Sequence, residues 1–403
     1  MTGRFSQKKI VLGVTGSIAA FKVAGWVSEL AKDGADVSVI MTESARRFVA
    51  PLTFAALSGN AVLTDMFQVE EFRNISHIQL GQEADILLIA PATANTIAKL
   101  AHGLADDLLS TTVLAATCPI FVAPAMNSAM YENQLTQENL GKLKQVGYHI
   151  IDPEYGKMAC KTEGSGRLAG WDSVREQLLQ SLSKQDLTGE QFLITAGPTR
   201  EALDPARFLS NRSSGKMGYA LARTARRRGA EVHLITGPTS LPLPHGVKVT
   251  KIESARDMYD AVMASCTDCS VIVKAAAVSD FRSLRQATEK VKKEDAESIL
   301  TLEQTDDILQ ELGRNKEKYG YLLVGFAAES SNLHEAGEKK LKNKNLDCIA
   351  INDISNSNTG FAVDTNQITL LDKTGFTDLP FTSKEETANL ILDRVATYLS
   401  SKV

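Results

Sequence analysis

Two sets of side chains in this sequence could do chemistry, one in each half. The front set is His77, Asn127 and Cys160; the rear set is Asn211, Asp280 and Lys290. Cys160 stands in MACKTEGSGRL, where one thiol among glycines and charged groups reads as a flap carrying a proton donor or nucleophile. A chance cysteine in an ordinary surface loop is the plainer alternative. His77 is placed in a polar loop ahead of a periodic segment, although most loop histidines are only solvated. Asn127 ends CPIFVAPAMN; its amide can bind a carboxylate or a carbonyl, and can equally cap a helix. Asp106 and Asp107 hint at a metal, but a turn or helix N-terminus accounts for them better.

In the rear half, NRSSGK (Asn211 to Lys216) resembles a phosphate loop, yet Ser210 and Met217 break the Walker spacing. It still supplies two hydroxyls, a lysine and a helix start. Further on, Ala275, Ala276 and Ala277 precede Asp280 at a strand end. Small residues there admit a flat base or sugar, and the carboxylate can grip a hydroxyl or Mg2+. With Asp280, the run KVKK from Lys290 becomes a candidate triphosphate clamp. Cys266 and Cys269 have redox or metal-like spacing but no second pair, and coincidence is the better reading.

These groups need elements that hold them. The N-terminal stretch IVLGVTGSIAAFKVAGWVSELAKDGADVSVIMT reads strand, glycine turn, helix, strand, and its Gly16-Ser17 turn would face an anion at the helix start. A helix is expected from about Glu43 to Leu57, and DILLIAPATANTIAKL reads as a buried strand leading into a helix. In an open parallel sheet, ligands sit beyond the carboxyl ends of such strands. The plan then restarts at FLITAGPTREALDPARFLSNRSSGKMG, and GAEVHLITG echoes GADVSVIMT. SKQDLTGE, between the two, reads as a polar linker, and Arg226 to Arg228 as a solvated helix end. The expected class is α/β with two domains, residues 1–188 and 189–403.

The 403 residues suit two cores of ordinary size. With 44 basic and 48 acidic side chains, the near-balanced charge argues against nucleic acid as a main partner. No apolar stretch is long enough for a membrane span, the first residues lack a signal-peptide centre, and five scattered cysteines suit a reducing, cytoplasmic setting.

Taken in order, Gly16-Ser17-Ile18-Ala19, Ile75-Ser76-His77, Ala90-Pro91-Ala92-Thr93-Ala94-Asn95, Pro124-Ala125-Met126-Asn127 and Ala159-Cys160 resemble the homo-oligomeric flavin-containing cysteine decarboxylases, over about residues 8–183. That resemblance implies a flavodoxin-like (Rossmann-type) domain with FMN on Gly16, Ser17, Thr42, Thr93 and Ala94, and Ala125 nearby. It makes His77 the base beside the flavin, Asn127 the holder of the substrate carboxylate, and Cys160 the proton donor after CO2 leaves. Flavin suits such a reaction because it offers the electron sink that an amide-linked cysteine lacks. Lys161, Leu168 and Tyr131 stand where that family usually has glycine, methionine and tryptophan.

The rear half, about residues 190–400, resembles phosphopantothenate–cysteine ligases. The motifs are GPTRE from Gly197 with Asp204-Pro205, the Ser210 to Gly218 segment, AAAVSD to Asp280, KVKK from Lys290, GFAAE from Gly325, and Asn352-Asp353. The resemblance implies a Rossmann-like ligase domain in which Ala275, Ala276, Asp280, Lys290, Asp307, Ile308, Leu309, Phe326, Lys340 and Lys344 hold CTP. Asn211 and Arg207 would hold the acyl-cytidylate, Lys290 would serve catalysis, and Asp280 would bind Mg2+. Thr305-Asp306 replaces the usual Asn-Pro before Asp307.

The ligase product is the decarboxylase substrate. The two resemblances together imply one bifunctional enzyme taking 4′-phosphopantothenate, cysteine and CTP to 4′-phosphopantetheine, as a trimer-based homo-oligomer, a dodecamer being one such assembly. A nicotinamide-dependent oxidoreductase is the first rival, weakened by the missing Gly-x-Gly-x-x-Gly. A flavin-bearing regulatory subunit is the second.

Overall fold

The computed structural model describes residues 3–67, 76–157, 163–292, 299–329, 332–353 and 363–401. The chain divides into two compact units, Met1–Leu182 and Ser183–Val403.

In the first unit, strands β1 (Lys9–Val14), β2 (Asp36–Met41), β3 (Val62–Leu63), β4 (Ile86–Ala92), β5 (Ile120–Pro124) and β6 (His149–Ile150) form a parallel sheet in the order β3-β2-β1-β4-β5-β6. Helices α1 (Ala20–Lys32), α2 (Pro51–Ser58), α3 (Ser76–Glu83), α4 (Ala94–Ala101), α5 (Leu108–Ala115), α6 (Ser128–Glu132) and α7 (Gln134–Gln145) fall between the strands. An antiparallel ribbon, β7 (Glu154–Lys157) with β8 (Glu163–Arg167), precedes α8 (Trp171–Leu182).

The strand sequences explain the layering. KIVLGV and ILLIAPA are apolar at nearly every position because a parallel sheet is covered on both faces. Alternate β1 residues then part: Ile10, Leu12 and Val14 meet Val23, Val27 and Leu30 of α1, while Val11 joins Leu109 and Val113 of α5. Each such aliphatic side chain taken from water contributes roughly 1.5–3 kcal/mol.

The second unit repeats this plan. Strands β9 (Gln191–Ala196), β12 (Glu231–Thr236), β13 (Lys248–Lys251), β14 (Val271–Lys274), β17 (Leu322–Glu329) and β18 (Cys348–Asp353) are parallel, and β20 (Ile368–Asp372) and β21 (Gly375–Asp378) extend the sheet antiparallel. Its order, β13-β12-β9-β14-β17-β18-β20-β21, begins with the same reversal as the first sheet. The echoing segments form β2 and β12, each beside the first strand of its own sheet. Of the two doubly wound patterns, both sheets follow the Rossmann order rather than the flavodoxin one. Two-stranded ribbons are made by β10 (Arg200–Ala202) with β11 (Phe208–Ser210), β15 (Phe281–Ser283) with β16 (Leu302–Gln304), and β19 (Thr365–Asn366) with β22 (Thr382–Ser383). The helices are α9 (Lys216–Arg227), α10 (Ala255–Ser265), α11 (Ile308–Tyr319), α12 (Leu333–Asn343) and α13 (Lys384–Ser401).

Three sequence expectations need correction. The helix expected from Glu43 to Leu57 is a 3-10 turn, Ala45–Arg47, followed by α2, because Pro51 lacks the N–H needed to continue a helix and instead starts one. The polar linker is not free of core: Leu187 is fully buried among Phe192, Leu221 and Ile391, and its N–H donates to the Arg228 carbonyl. The solvated arginine run is solvated only in part, since Arg227 and Arg228 are buried. Arg227 pairs with Glu385; Arg228 meets Asp186 at 2.6 Å and Asp393 at 2.9 Å, and donates to the Asn389 carbonyl. Sequence spacing identifies a helix end but not the acids that α13 brings to it. Arg228→Ala removes a buried guanidinium that Asp186, Asp393 and the Asn389 carbonyl all hold, leaving Asp393 only Lys184 at 3.5 Å, so it is expected to destabilise the second unit by about 2 kcal/mol. A lower urea midpoint for that unit would register it.

Candidate active sites at the sheet reversals

In each sheet the strand order reverses next to the first strand, between β1 and β4 and between β9 and β14, and there the chain leaves adjacent strand ends in opposite directions. Crossover helices run antiparallel to the strands, so their first turns stand at the same carboxyl edge.

At the first reversal, the Thr15 hydroxyl donates to the Pro91 carbonyl at 2.6 Å and accepts from the Thr93 N–H at 3.1 Å, fastening the two loops together. A Cβ on Gly16 would lie 2.4 Å from the Ser44 Cβ, so only glycine lets the loop pass the β2 end this closely. The Thr42 hydroxyl accepts from the Ala45 N–H, and Thr93 caps α4, whose first residue is Ala94. Ser17 accepts weakly from the Ala19 N–H at 3.4 Å; α1 has no side-chain cap, and its first N–H groups, those of Ala20, Phe21 and Lys22, donate to the Ser17, Ile18 and Ala19 carbonyls. Ala125 is buried, with its N–H on the Ala92 carbonyl.

His77 lies in the first turn of α3, not in a loop, and α3 packs on α5. Its helical start puts it at the carboxyl edge, and its Nδ1 is buried without a hydrogen-bond partner among the described residues. Asn127 caps α6, accepting from the Ala129 N–H at 2.9 Å. The adjacent Met126 N–H donates to the Gly166 carbonyl. Gly166 has φ +134°, and a Cβ there would sit 2.3 Å from the Met126 oxygen, so this glycine seats the β7–β8 ribbon beside Asn127. Cys160 and Lys161, between those two strands, lie outside the described residues. Asp107 caps α5, and Lys99 binds both Asp106 and Asp107, which accounts for that acidic pair structurally.

At the second reversal the strand ends are laced more heavily. The Ala277 N–H donates to the Gly197 carbonyl and the Thr199 N–H to the Ala277 carbonyl, while Thr195 accepts from the Ala276 N–H. Asn211 Nδ2 donates to the Ala277 and Val278 carbonyls at 3.0 and 3.2 Å. Its amide is thus tied to the backbone just past Ala275 and Ala276. Asp280 is exposed at the rim, and its carbonyl accepts from the Thr305 N–H.

Arg207 is committed elsewhere. It donates to Asp204 through Nε at 2.9 Å and Nη2 at 2.6 Å, and through Nη2 to the Val291 carbonyl. Asp204 also accepts from the Val291 N–H at 3.3 Å, so the pair pins the chain one residue past the exposed Lys290. Arg207 beside it, with backbone N–H groups outweighing burial, holds the Asp204 carboxyl down to about 2. The clamp is therefore complete above the ordinary value of 3.8 and is lost as pH falls toward about 2. Asp204→Asn is expected to speed tryptic cleavage after Lys290 and Lys292, measured at neutral pH against the unaltered protein.

The remaining expected nucleotide residues divide. Asp307 caps α11 and pairs with Lys344; Lys340 pairs with Glu329 at 2.7 Å. Burial pushes the Asp307 carboxyl up, but Lys344 and the Gln310 N–H outweigh it and leave the group below its usual range. Ile308 is a core residue and Leu309 packs near Gly325, so both offer a ligand only their backbone at the helix start. Phe326 lies partly buried on β17, beside the other core layer. Cys266 and Cys269 each donate to a helix carbonyl, and burial pushes both thiols up, to about 11 for Cys269.

Residues 2–183 match the family model described as Flavoprotein, and residues 187–399 match that described as DNA/pantothenate metabolism flavoprotein C-terminal domain. The Coenzyme A biosynthesis bifunctional protein CoaBC of Bacillus subtilis (strain 168) is 45% identical across 97% of this chain and 97% of its own length. Its counterpart in Escherichia coli (strain K12) is 42% identical across 98% of both. The chain belongs to this bifunctional family. It is an enzyme with two activities, phosphopantothenate–cysteine ligation and phosphopantothenoylcysteine decarboxylation, in coenzyme A biosynthesis. A crystal structure of the C-terminal domain of a Coenzyme A biosynthesis bifunctional protein CoaBC is 41% identical and covers 54% of this chain and 100% of that chain, with a TM-score of 0.47.

Within that family frame, sequence reading passed over Thr15, Thr195 and Thr199, the hydroxyls that fasten the reversal loops, and Lys274 at the end of β14. Thr15 and Thr199 each border a glycine or proline in a turn after an apolar strand, which is the signal that marks them, whereas Thr195 lies within β9 itself.

Proposed function

We propose that the second unit acts first, joining cysteine to 4′-phosphopantothenate at the expense of CTP, and that the first unit then decarboxylates the product with FMN. The observation that supports this division is the pair of sheet reversals, one in each unit, with Gly16 and Thr93 at the first and Asn211 tied to the strand end at the second.

In the second unit, Ala275, Ala276, Phe326 and the backbone of Asp307, Ile308 and Leu309 would face the cytidine. Lys290, Lys340 and Lys344 would meet the triphosphate. Asp280, exposed at the rim, fits Mg2+ arriving with the nucleotide, since that ion commonly takes one or two carboxylates and completes its shell with phosphate and water. Among the described residues no cluster of three acidic, histidine or cysteine side chains offers a preformed cage. Attack of the pantothenate carboxylate on the α-phosphorus releases pyrophosphate, and Lys290 offsets the charge that leaves. Asn211 then holds the acyl-cytidylate while the cysteine amine displaces CMP. Arg207, tied to Asp204 and Val291, is assigned to positioning Lys290 rather than to the ligand.

In the first unit, the glycine-only passage at Gly16, the turn leading into α1, and Thr42, Thr93, Ala94 and Ala125 suit FMN, with Ser17 on its phosphate. Bound there, FMN supplies the electron sink that lets the carboxyl group depart. His77 Nδ1, buried and without a hydrogen-bond partner among the described residues, is the base. Asn127, whose oxygen caps α6, would hold the substrate carboxylate through its amide. Cys160 returns the proton. We further propose cytoplasmic residence and trimer-based assembly of the first unit, without nucleic-acid or membrane partners; among the described residues no helix is long and apolar enough to cross a membrane.

Incubation with 4′-phosphopantothenate, cysteine, Mg2+ and CTP, following pyrophosphate and CO2 separately, tests the scheme. CO2 should appear only after pyrophosphate and only from protein carrying FMN. CO2 release without CTP, or ligation with no nucleotide preference, would overturn the assignment.

A further inference from the structure

Lys384, the first residue of α13, is 7% exposed and has no place in the scheme above. It grips one short turn at three successive carbonyls: its Nζ donates to those of Val363 at 2.5 Å and Thr365 at 3.0 Å, and its N–H donates to that of Asp364 at 2.9 Å. Strands β19 and β22 close the same turn, pairing Thr365 with Ser383 and Asn366 with Thr382. Burial and the nearby Lys216 push the Lys384 ammonium down to about 8, and Asp364 pulls it back up, so at neutral pH it stays charged and can donate from several hydrogens at once. What the turn presents is the Asp364 carboxylate, 2.6 Å from the Nζ of Lys216, the first residue of α9. Asn366, buried, places its Nδ2 3.6 Å from the Met217 sulfur, so both opening residues of α9 are tied to the turn. The start of α9 is itself seated on the second reversal. Gly215 has φ +79°, and a Cβ there would lie 3.3 Å from the Cα of Gly197, whose carbonyl accepts from the Ala277 N–H; a Cβ on Gly218 would lie 2.6 Å from that of Ala196, the last residue of β9.

We propose that Lys384 and Asp364 are positioning residues for the acyl side of the ligase site. Lys384 fixes the turn, Asp364 carries that hold to the first residue of α9, and the helix start fixes the Asn211 to Gly215 segment over the reversal. The inference deepens the ligase reading of the second unit and rests on it, because Asn211 is the group assigned there to the acyl-cytidylate. The groups assigned to the nucleotide hang on other supports: Ala275 and Ala276 follow β14, Phe326 lies on β17, and Asp307 opens α11. Loss of the strap is therefore felt by 4′-phosphopantothenate and not by CTP. The Asp364 side chain is 80% exposed, and an ion pair of that kind adds little to stability, so it can be altered without unfolding the unit.

The test uses the full-length holoenzyme with Asp364→Asn, Asp364→Glu and Lys384→Met. Asp364→Asn should raise KM for 4′-phosphopantothenate about tenfold, with KM for CTP and kcat within about twofold and the melting temperature unchanged. Asp364→Glu, which keeps a carboxylate on an exposed side chain, should recover most of that loss. Lys384→Met should raise the same KM, and adding it to Asp364→Asn should raise it little further, since both break one tether. Decarboxylation of preformed 4′-phosphopantothenoylcysteine should not change. An Asp364→Asn protein that keeps its KM for 4′-phosphopantothenate, that raises KM for both substrates alike, or that Asp364→Glu does not improve on would overturn the strap, as would full additivity of the two substitutions. Should Lys384→Met fail to fold, the two Asp364 variants decide by the same criteria. If the unaltered enzyme makes no pyrophosphate from CTP and 4′-phosphopantothenate, the ligase reading itself falls; if it does and Asp364→Asn matches it, only the strap falls.

Discussion

Replacing His77 with Asn will slow decarboxylation by about 10²–10⁴-fold while ligation proceeds at its normal rate. The expectation comes from where α3 begins. A crossover helix starts at the carboxyl edge of its sheet, so the first-turn imidazole stands at the same edge as Thr15, Gly16 and Thr93. There its Nδ1 is shut away from water with no partner among the described residues. An imidazole nitrogen left that way costs roughly 1–3 kcal/mol, a penalty that a bound reactant relieves. Asparagine keeps a polar end of similar reach but cannot take up a proton. The visible flavin spectrum must be recorded alongside the rate. Retained FMN with lost turnover identifies a base, lost FMN identifies a wall of the cofactor site, and undiminished CO2 release would remove His77 from the chemistry.

Lys290→Gln will reduce pyrophosphate release by about 10²–10³-fold and leave decarboxylation of preformed substrate untouched. Of the lysines assigned to the triphosphate, Lys340 is offset by Glu329 and Lys344 by Asp307, whereas no ion pair involves Lys290 among the described residues. Its full charge is therefore available to departing pyrophosphate. It is also held in place from one side, because Val291 is fixed through both its N–H and its carbonyl by Asp204 and Arg207. Measured against Lys340→Gln, the Lys290 variant should show the larger fall in kcat and the smaller rise in KM for CTP. The reverse ranking would place catalytic charge on α12 instead.

Much of this arrangement is legible before folding. Apolar runs ending in Ala-Pro, Gly-Pro or triple alanine identify parallel strands and their carboxyl ends, and the restart near Phe192 identifies two units of like topology. What escapes is whatever depends on partners distant in sequence. The environment of Arg228 is decided by Asp393, far along α13, and that of Arg207 by Val291. Lys274 reads as one polar residue at the end of an apolar strand, and only the packing of α10 and α11 over it makes it a buried cation. His77 was misplaced for a different reason: the polar composition of SHIQLGQE hides a short helix that one face holds against α5.

Leu187 and Asp186 carry a practical lesson for anyone wishing to produce the ligase by itself. A gene truncated to begin after Thr188 would remove the plug that fills the space beside Phe192 and the carboxylate that neutralises Arg228, and the shortened product should precipitate or melt early. Starting the reading frame at Ser183 keeps both, and is the boundary at which a stand-alone ligase is worth purifying.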